Sequence, residues 1–139
     1  MNSLIKLTND LLDPRVIEEL ICAPEYGALI TFSGRVRNHH QGESVFELHY
    51  EAYDEMVLKS FDEILQAAQS EFPGTTSAIH HRIGTLAIGD IAVLVCTGSA
   101  HRDIAYKANS WIIKEIKKKS PIFKHETRKD GKVWVNDHT

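Results

Sequence analysis

Two long helical patterns, each ended by a proline, constrain most strongly what this chain can fold into. Across residues 54–72, apolar residues recur at the three- and four-residue spacing of one helix face, and Pro73 stops the pattern. A second pattern of this kind covers residues 101–119 and ends before Pro121. Everything else in the 139 residues must pack around these two helices.

Strand patterns lie before, between and after the two helices. Residues 27–36 predict a largely buried strand, and residues 77–83 and 91–97 predict two further strands. Residues 46–52 alternate apolar and polar side chains, as in a half-buried strand. Residues 122–135 predict a hairpin, with Asp130-Gly131 in its turn.

The connecting segments complete the predicted order of elements. Asp13 followed by Pro14 predicts the start of a short helix. Residues 38–43 are predicted to be a polar, mobile loop, and residues 84–90 a turn region. Helices and strands interleave, but two pairs of strands are close enough in sequence to be antiparallel neighbours. The prediction is therefore a single α+β domain over residues 1–139 rather than a doubly wound sheet.

The composition excludes several classes of protein. A formal net charge of −3 and a pI near 6.2 argue against a general nucleic-acid or membrane-surface binder. No apolar run approaches the ~20 residues that span a bilayer, and the N-terminus has no signal-peptide pattern. We therefore expect a cytoplasmic protein.

The cysteines and paired histidines do not predict a metal or redox centre. Cys22 ends the apolar stripe of the first short helix and Cys96 lies in an apolar strand, so both are predicted to pack. Neither belongs to a Cys-x-x-Cys pair, which argues against a zinc ribbon or a redox dithiol. His39-His40 and His80-His81 are adjacent pairs on predicted extended segments, so their side chains point to opposite faces. Neither pair has further ligands at useful spacing, and we expect no metal site.

Cationic residues concentrate at three points of a chain that is acidic overall. Arg35 and Arg37 end a predicted strand, His101-Arg102 begins the second long helix, and residues 117–124 carry lysines on both sides of a proline. If the three points converge, they form a pocket for an anionic substrate. Clustered cations would also lower the pKa of a lysine there and leave some neutral amine for catalysis.

Each cationic point also has a purely structural interpretation. Arginines can keep a strand edge soluble, and Ser99 can cap a helix whose next cations merely face solvent. Lysines in the last turn of a helix complement its dipole, which accounts for two of the three residues Lys117, Lys118 and Lys119. Lys124 is harder to explain in this way, because it lies in a short strand beyond the helix.

Three motifs in this order resemble the family of molybdopterin synthase catalytic (large) subunits. They are Phe-Ser-Gly-Arg-Val-Arg-Asn-His at residues 32–39, Ser-Ala-His-Arg at residues 99–102 and Lys-x-x-x-Pro-x-Phe-Lys-x-Glu at residues 117–126. The resemblance covers residues 27–134. It implies an α/β hammerhead fold with an added antiparallel subdomain.

The resemblance also implies an activity. Sulfur would pass from the C-terminal thiocarboxylate of a small ubiquitin-like carrier subunit to cyclic pyranopterin monophosphate, without a resident cofactor or metal. The implied assembly is a homodimer within a heterotetramer. Ile122 stands where a larger aromatic residue is common, and the chain ends soon after residue 134, so a tail contribution to the dimer is in doubt.

The implied roles fall on charged residues of the three motifs and on two phenylalanines. Lys117 and Lys124 would be catalytic, one in acid–base work and the other stabilising an oxyanion or reacting covalently. The residues implied in substrate binding are Arg35, Val36, Arg37, His101, Arg102, His125 and Glu126, and those implied in a channel for the carrier's tail are Phe32 and Phe123. Glu126 would orient Lys124.

Two other functions remain open from the sequence. A non-catalytic module could use the same cationic pocket to hold a phosphometabolite or a ubiquitin-like tail. An RNA-binding domain is the second alternative, and the net charge and the core positions of the aromatic residues disfavour it.

Overall fold

Three helices and nine strands make up the computed structural model, which describes residues 3–40, 42–128, 131 and 133–137. In chain order the elements are β1 (Ile5–Thr8), α1 (Pro14–Ile21), β2 (Ala28–Arg35), β3 (His39–His40), β4 (Glu43–Ala52), α2 (Asp54–Glu71), β5 (Thr76–Arg82), β6 (Gly84–Ala87), β7 (Ile91–Ser99), α3 (Arg102–Lys119), β8 (Ile122–Arg128) and β9 (Val133–Asp137). None of the helices in these ranges is long and apolar enough to cross a bilayer.

The first sheet has the order β1-β5-β7-β2 and separates two layers of helix. β1 runs parallel to β5, and the other neighbours are antiparallel. Along β7, Leu94 belongs to the apolar cluster with Ile17 of α1, whereas Val95 belongs to the cluster with Phe61 of α2 and Ile112 of α3. The alternation of a strand thus sends successive side chains to opposite layers.

The second sheet has the order β3-β4-β8-β9, with β6 paired to β4, and all its strands are antiparallel. One face of this sheet packs into the main core through Leu48, Leu86 and Ile122. The mixed first sheet, the antiparallel second sheet and the interleaved helices confirm the predicted α+β class.

Two short strands lie where the sequence predicted irregular chain. The polar segment 38–43 contains β3, which pairs with the start of β4, and the predicted turn region 84–90 contains β6. Both strands are short, so neither shows enough alternation to be recognised, and each depends on β4 for its hydrogen bonds. Gly42, with φ at +79°, allows the turn between β3 and β4.

Two predictions were wrong: the alternation of residues 46–52 places Phe46 on the buried face of its strand, and Cys22 was predicted to pack, but both are exposed. The register of β4 against β8 shifts between Val45 and Glu47, so Val45 is buried and Phe46 is exposed. Cys22 follows the short helix α1 as its exposed C-cap, because Ile17 and Ile21 alone fill the buried face of that helix. Cys96 is buried, as predicted.

The C-terminal hairpin is confirmed by the pairing of β8 with β9. Of its predicted turn, Asp130 lies outside the described residues, and Gly131 has φ at +78°. Lys132, predicted to begin the last strand, also lies outside the described residues.

Replacing Gly98 by alanine is expected to lower the free energy of unfolding by about 1–3 kcal/mol. A Cβ atom at this buried β7 position would lie 2.6 Å from Cδ2 of Tyr26 and 2.7 Å from Cγ2 of Ile21. Urea denaturation measures the change, and the exposed helix substitution Ser70→Ala, expected to alter stability by less than about 0.5 kcal/mol, is the control. Equal stability of the two variants would contradict this packing.

Candidate active site

A cleft of about 550 Å³ opens between the C-terminal end of α3, the end of β2 and the inner face of the second sheet. Its wall is part apolar and part cationic. The residues that line it include Phe32, Gly34, Arg35, Arg37, His39, His40, Tyr50, Lys117, Lys124 and Glu126. Two of the three predicted cationic points therefore meet in this cleft, the one with Arg35 and Arg37 and the one with Lys117 and Lys124.

The end of β2 brings the two arginines to the cleft. The register of β2 against β7 shifts between Gly34 and Arg35. Beyond this shift, the backbone N–H of Val36 donates a hydrogen bond to the carbonyl oxygen of Asp90. Arg35 donates from Nη1 to the carbonyl oxygen of Gly89 at 3.1 Å. Arg35 and Arg37 both line the cleft and the intervening Val36 is buried, as side-chain alternation requires of residues two apart.

Helix α3 places Lys117 at the opposite wall. The buried amide of Asn109 donates to the carbonyl oxygen of Val95 at 2.9 Å and to Oγ1 of Thr97 at 3.2 Å, which fixes the helix over β7. Lys117 then lies in the last turn of α3, eight residues beyond Asn109. Lys118 and Lys119 approach Glu115 instead, at 3.9 and 3.1 Å.

Strand β8 carries an unusual row of buried charges. Its inward face begins with the apolar Ile122 and continues with Lys124, Glu126 and Arg128, all less than one-tenth exposed. Nζ of Lys124 lies 3.5 Å from Oε1 of Glu126. Arg128 donates to Oε2 of Glu126 from Nε at 3.2 Å and from Nη2 at 3.1 Å. The buried charges are therefore paired with one another, as burial requires.

Burial is the largest influence on Lys124 and lowers the pKa of its amine. The carboxylate of Glu126 opposes this effect, and the charges of Arg37 and Lys117 add to it, leaving the pKa of Lys124 below its ordinary value. The clustered cations that were expected to lower this pKa therefore contribute, but less than burial does. The neutral form of this amine is therefore favoured more than in an ordinary exposed lysine.

The same surroundings keep Glu126 ionised. Burial raises the pKa of its carboxyl group, but the hydrogen bonds from Arg128 and the charges of Lys124 and His40 outweigh burial, and the net pKa is lowered. Nδ1 of His40 makes a hydrogen bond to Oε1, the oxygen that also faces Lys124. One buried carboxylate thus serves three cationic or donor side chains.

Tyr50 and His81 lie behind the lysine. Tyr50 is opposite Lys124 in the register of β4 against β8, and its ring centroid lies 5.2 Å from that of His81. Burial, with the charge of Glu126, raises the pKa of Tyr50 to about 12. Burial lowers the pKa of His81 to about 4. Both side chains are therefore uncharged near pH 7 and leave the charge of the cleft to its lysines, arginines and Glu126.

The chain does not bring His101 and Arg102 to the cleft. His101 is the exposed N-cap of α3 and Arg102 its first residue, whereas Lys117 lies in the last turn. The 15 residues from Arg102 to Lys117 correspond to roughly 22 Å at 1.5 Å per residue. No single small ligand can bridge both ends within one chain.

His125, Phe123 and Val36 also lie away from the cleft. His125 is on the outer face of β8, where its Nε2 is 3.6 Å from Oε2 of Glu51. Phe123 shares that face and packs edge-on against Tyr53, with ring centroids 6.1 Å apart. Adjacent residues of a strand point to opposite sides, so neither can join Lys124. Val36 is buried in the main core.

Comparison with known proteins decides the family. The model of the MoaE protein family matches residues 7–119. The chain belongs to the MoaE family. The three motifs pointed to this family from the sequence alone, and that recognition is confirmed.

Individual MoaE relatives are similar over most of the chain. The molybdopterin synthase catalytic subunit of Pyrococcus abyssi is 37% identical over 133 residues, covering 96% of this chain and 89% of that protein. That of Bacillus subtilis is 41% identical over 113 residues, covering 81% and 72%. The crystal structure of molybdopterin synthase from Staphylococcus aureus superposes with a TM-score of 0.93 at 35% identity, covering 99% of this chain and all of that one.

Sequence reasoning missed three residues that build this MoaE cleft. His40 and Tyr50 approach Glu126 and Lys124 from β3 and β4, which are distant in sequence, whereas Arg128 supports Glu126 from two residues away on β8. The period-two pattern of β8 was the available signal for Arg128, because it places residues 124, 126 and 128 on one face. Nothing in the sequence of the polar segment 38–43 shows that it folds over Glu126.

Proposed function

We propose that this chain transfers sulfur from the thiocarboxylate of a small ubiquitin-like carrier to cyclic pyranopterin monophosphate, as the catalytic subunit of molybdopterin synthase. The observation that carries the proposal is a buried lysine, Lys124, held beside the ionised Glu126 at the base of a cationic cleft. Family membership supplies the reaction, and the cleft supplies groups suited to it.

The main requirement of the reaction is the stabilisation of negative charge in its transition states. A carbon–sulfur bond to the pterin forms as a carbon–oxygen bond at that pterin carbon breaks. Water then replaces sulfur on the acyl carbon, and the carrier leaves as a carboxylate. Negative charge therefore shifts between acyl oxygen, sulfur and pterin. Arg35 and Arg37 at the rim are suited to hold the substrate's phosphate, since guanidinium groups match phosphate oxygens. Lys124 is buried at the base of the cleft and Lys117 is exposed on its wall, and both are suited to stabilise the charge that develops.

The two lysines differ in surroundings, which suggests different roles. Lys124 is buried, with an amine pKa below its ordinary value, and suits proton transfer or covalent attack. Lys117 is an exposed residue of the cleft wall and suits stabilisation of an oxyanion. Phe32 gives the same cleft an apolar wall and Gly34 adds no side chain, and a flexible carrier tail can enter beside them.

We also propose that the chain works as a homodimer within a heterotetramer. His101 and Arg102 are exposed at the far end of α3, too distant from Lys117 to share its ligand within one chain. Their proposed part in substrate binding therefore requires a second copy to present them. Equilibrium sedimentation of the chain, alone and with the carrier, tests this assembly.

Reconstitution tests the activity. The protein, a thiocarboxylated carrier subunit and cyclic pyranopterin monophosphate are mixed, and molybdopterin is measured as its fluorescent oxidised derivative. Lys117→Ala is expected to lower kcat by about 100-fold, in the range that mutagenesis finds for a lost oxyanion donor. Lys118→Ala, which removes the next lysine of the same helix turn, is expected to retain parental turnover.

A non-catalytic binding module is the alternative outcome. In that case calorimetry would show that the parental protein binds the carrier and the pterin. No product would form, even with many equivalents of carrier. If Lys117→Ala forms product as fast as the parental protein, the chain is still an enzyme, but Lys117 has no part in its mechanism.

A further inference from the structure

One oxygen of a buried carboxylate is shared between a histidine and the catalytic lysine. Oε2 of Glu126 accepts both hydrogen bonds from Arg128. Oε1 accepts the hydrogen bond from Nδ1 of His40 and lies 3.5 Å from Nζ of Lys124. A carboxylate can only accept, so Nδ1 of His40 carries the proton in this contact. The contact with His40 is the closer one, and Lys124 stays at 3.5 Å, longer than the roughly 2.8 Å of a close ammonium–carboxylate hydrogen bond. This unequal sharing indicates that His40 and Lys124 compete for Oε1.

The fold brings His40 to this oxygen by an indirect route. His40 belongs to β3, which pairs only with the start of β4 at Glu43 and Ser44. β4 in turn pairs with β8, where Val45 lies opposite Arg128. The short hairpin thus folds its histidine over the buried charges of β8, and the His40 side chain is only 17% exposed.

We propose that His40 is a positioning residue for the sulfur transfer, which holds Oε1 of Glu126 away from full pairing with Lys124 and so keeps the Lys124 amine free to react. The inference rests on the proposed function for its catalytic meaning. Its physical content, competition for one carboxylate oxygen, does not depend on the identity of the substrate.

The groups around Lys124 show why this competition matters. Glu126 and Arg128 face it from its own strand, Tyr50 from β4, His40 from β3, Arg37 from the segment after β2, and Lys117 from α3. Among these described neighbours, Glu126 is the one negative charge. The stability of the Lys124 ammonium ion therefore depends on how closely that carboxylate pairs with it.

Removing the histidine is expected to shift the activity toward alkaline pH. In a His40→Ala variant Oε1 becomes available to Lys124, the ammonium form gains stability and its pKa rises. We expect kcat at pH 7 to fall about tenfold, because the working free amine is scarcer, and to recover as the pH is raised. His40→Gln keeps an N–H donor near Oε1 and is expected to recover part of the loss.

Two measurements separate this role from a structural one. Profiles of kcat and KM against pH in the reconstituted reaction should show the alkaline shift in kcat, with KM unchanged. Carbon-13 labelling of the lysine side chains allows NMR titration of the Lys124 amine, assigned by its loss in Lys124→Arg. His49→Gln is the control, because His49 bonds to Thr85 on the outer face of the second sheet.

The outcomes distinguish the inference from the proposed function. A Lys124 pKa that is unchanged or lower in folded His40→Ala overturns the inference, even if the enzyme is active. A kcat that falls equally at every pH also overturns it and indicates support of the fold. If the parental protein forms no product, the proposed function fails, while the NMR titration still decides whether His40 competes for Oε1.

Discussion

Replacing Lys124 by alanine is expected to lower turnover by about 100-fold or more while the protein remains folded. The amine of Lys124 is buried at the base of the cleft, and none of the described cations around it replaces it at that place. Glu126 keeps Arg128 and His40 as partners in the variant, so no buried charge is left unpaired. The loss should therefore appear in kcat rather than in stability.

The measurement compares single-turnover product formation, carrier binding and thermal unfolding in the same preparation. Lys107→Ala is the matched control, since Lys107 is an exposed lysine on the same helix as Lys117 and does not line the cleft. Parental turnover by Lys124→Ala would remove this residue from the mechanism. Lost turnover together with lost carrier binding would favour a binding role instead.

Replacing Glu126 by alanine is expected to have the largest effect on stability, a loss of about 3–5 kcal/mol in the free energy of unfolding. Glu126 is 1% exposed, and its removal leaves Arg128 and Lys124 buried without their shared counter-ion. Urea denaturation measures the difference. Glu47→Ala, at an exposed position of β4, should change stability by less than about 0.5 kcal/mol.

The contribution of Glu126 also has a predictable dependence on pH. Its folded-state pKa lies below the ordinary value of 4.5, so the folded state holds its proton less tightly than the unfolded chain does. The stabilisation is therefore fully present above that ordinary value and is lost as the pH falls below it. The parental protein should lose stability in this acid range more steeply than Glu126→Ala, and parallel curves would contradict the assignment.

Long periodic elements of this fold could be predicted from the sequence, whereas elements made by pairing could not. α2 and α3 each repeat their apolar face over several turns and end at a proline, and both were located within a residue or two. β3 and β6 exist because β4 offers them hydrogen bonds, which no local pattern reveals. The bulge after Val45 is likewise a property of two strands together.

The candidate site shows the same division. Phe32, Arg35, Arg37, Lys117, Lys124 and Glu126 were named from motifs, and the fold brings them to one cleft. His125 was grouped with its neighbours in sequence, although strand alternation places it on the opposite face from Lys124. His101 and Arg102 depend on the length of α3, which separates them from the cleft. Their roles stay predictions until the assembly is known.

The cleft also has a cost for the fold that carries it. Arg35, Arg37, Lys117 and Lys124 are held near one another around a single buried carboxylate, so the empty site stores like-charge repulsion. A bound anion relieves that repulsion and stabilises the folded chain by mass action. Selection for thermal stability alone would replace these cations by neutral residues, so the cleft is a place where we expect neutral substitutions to stabilise the fold.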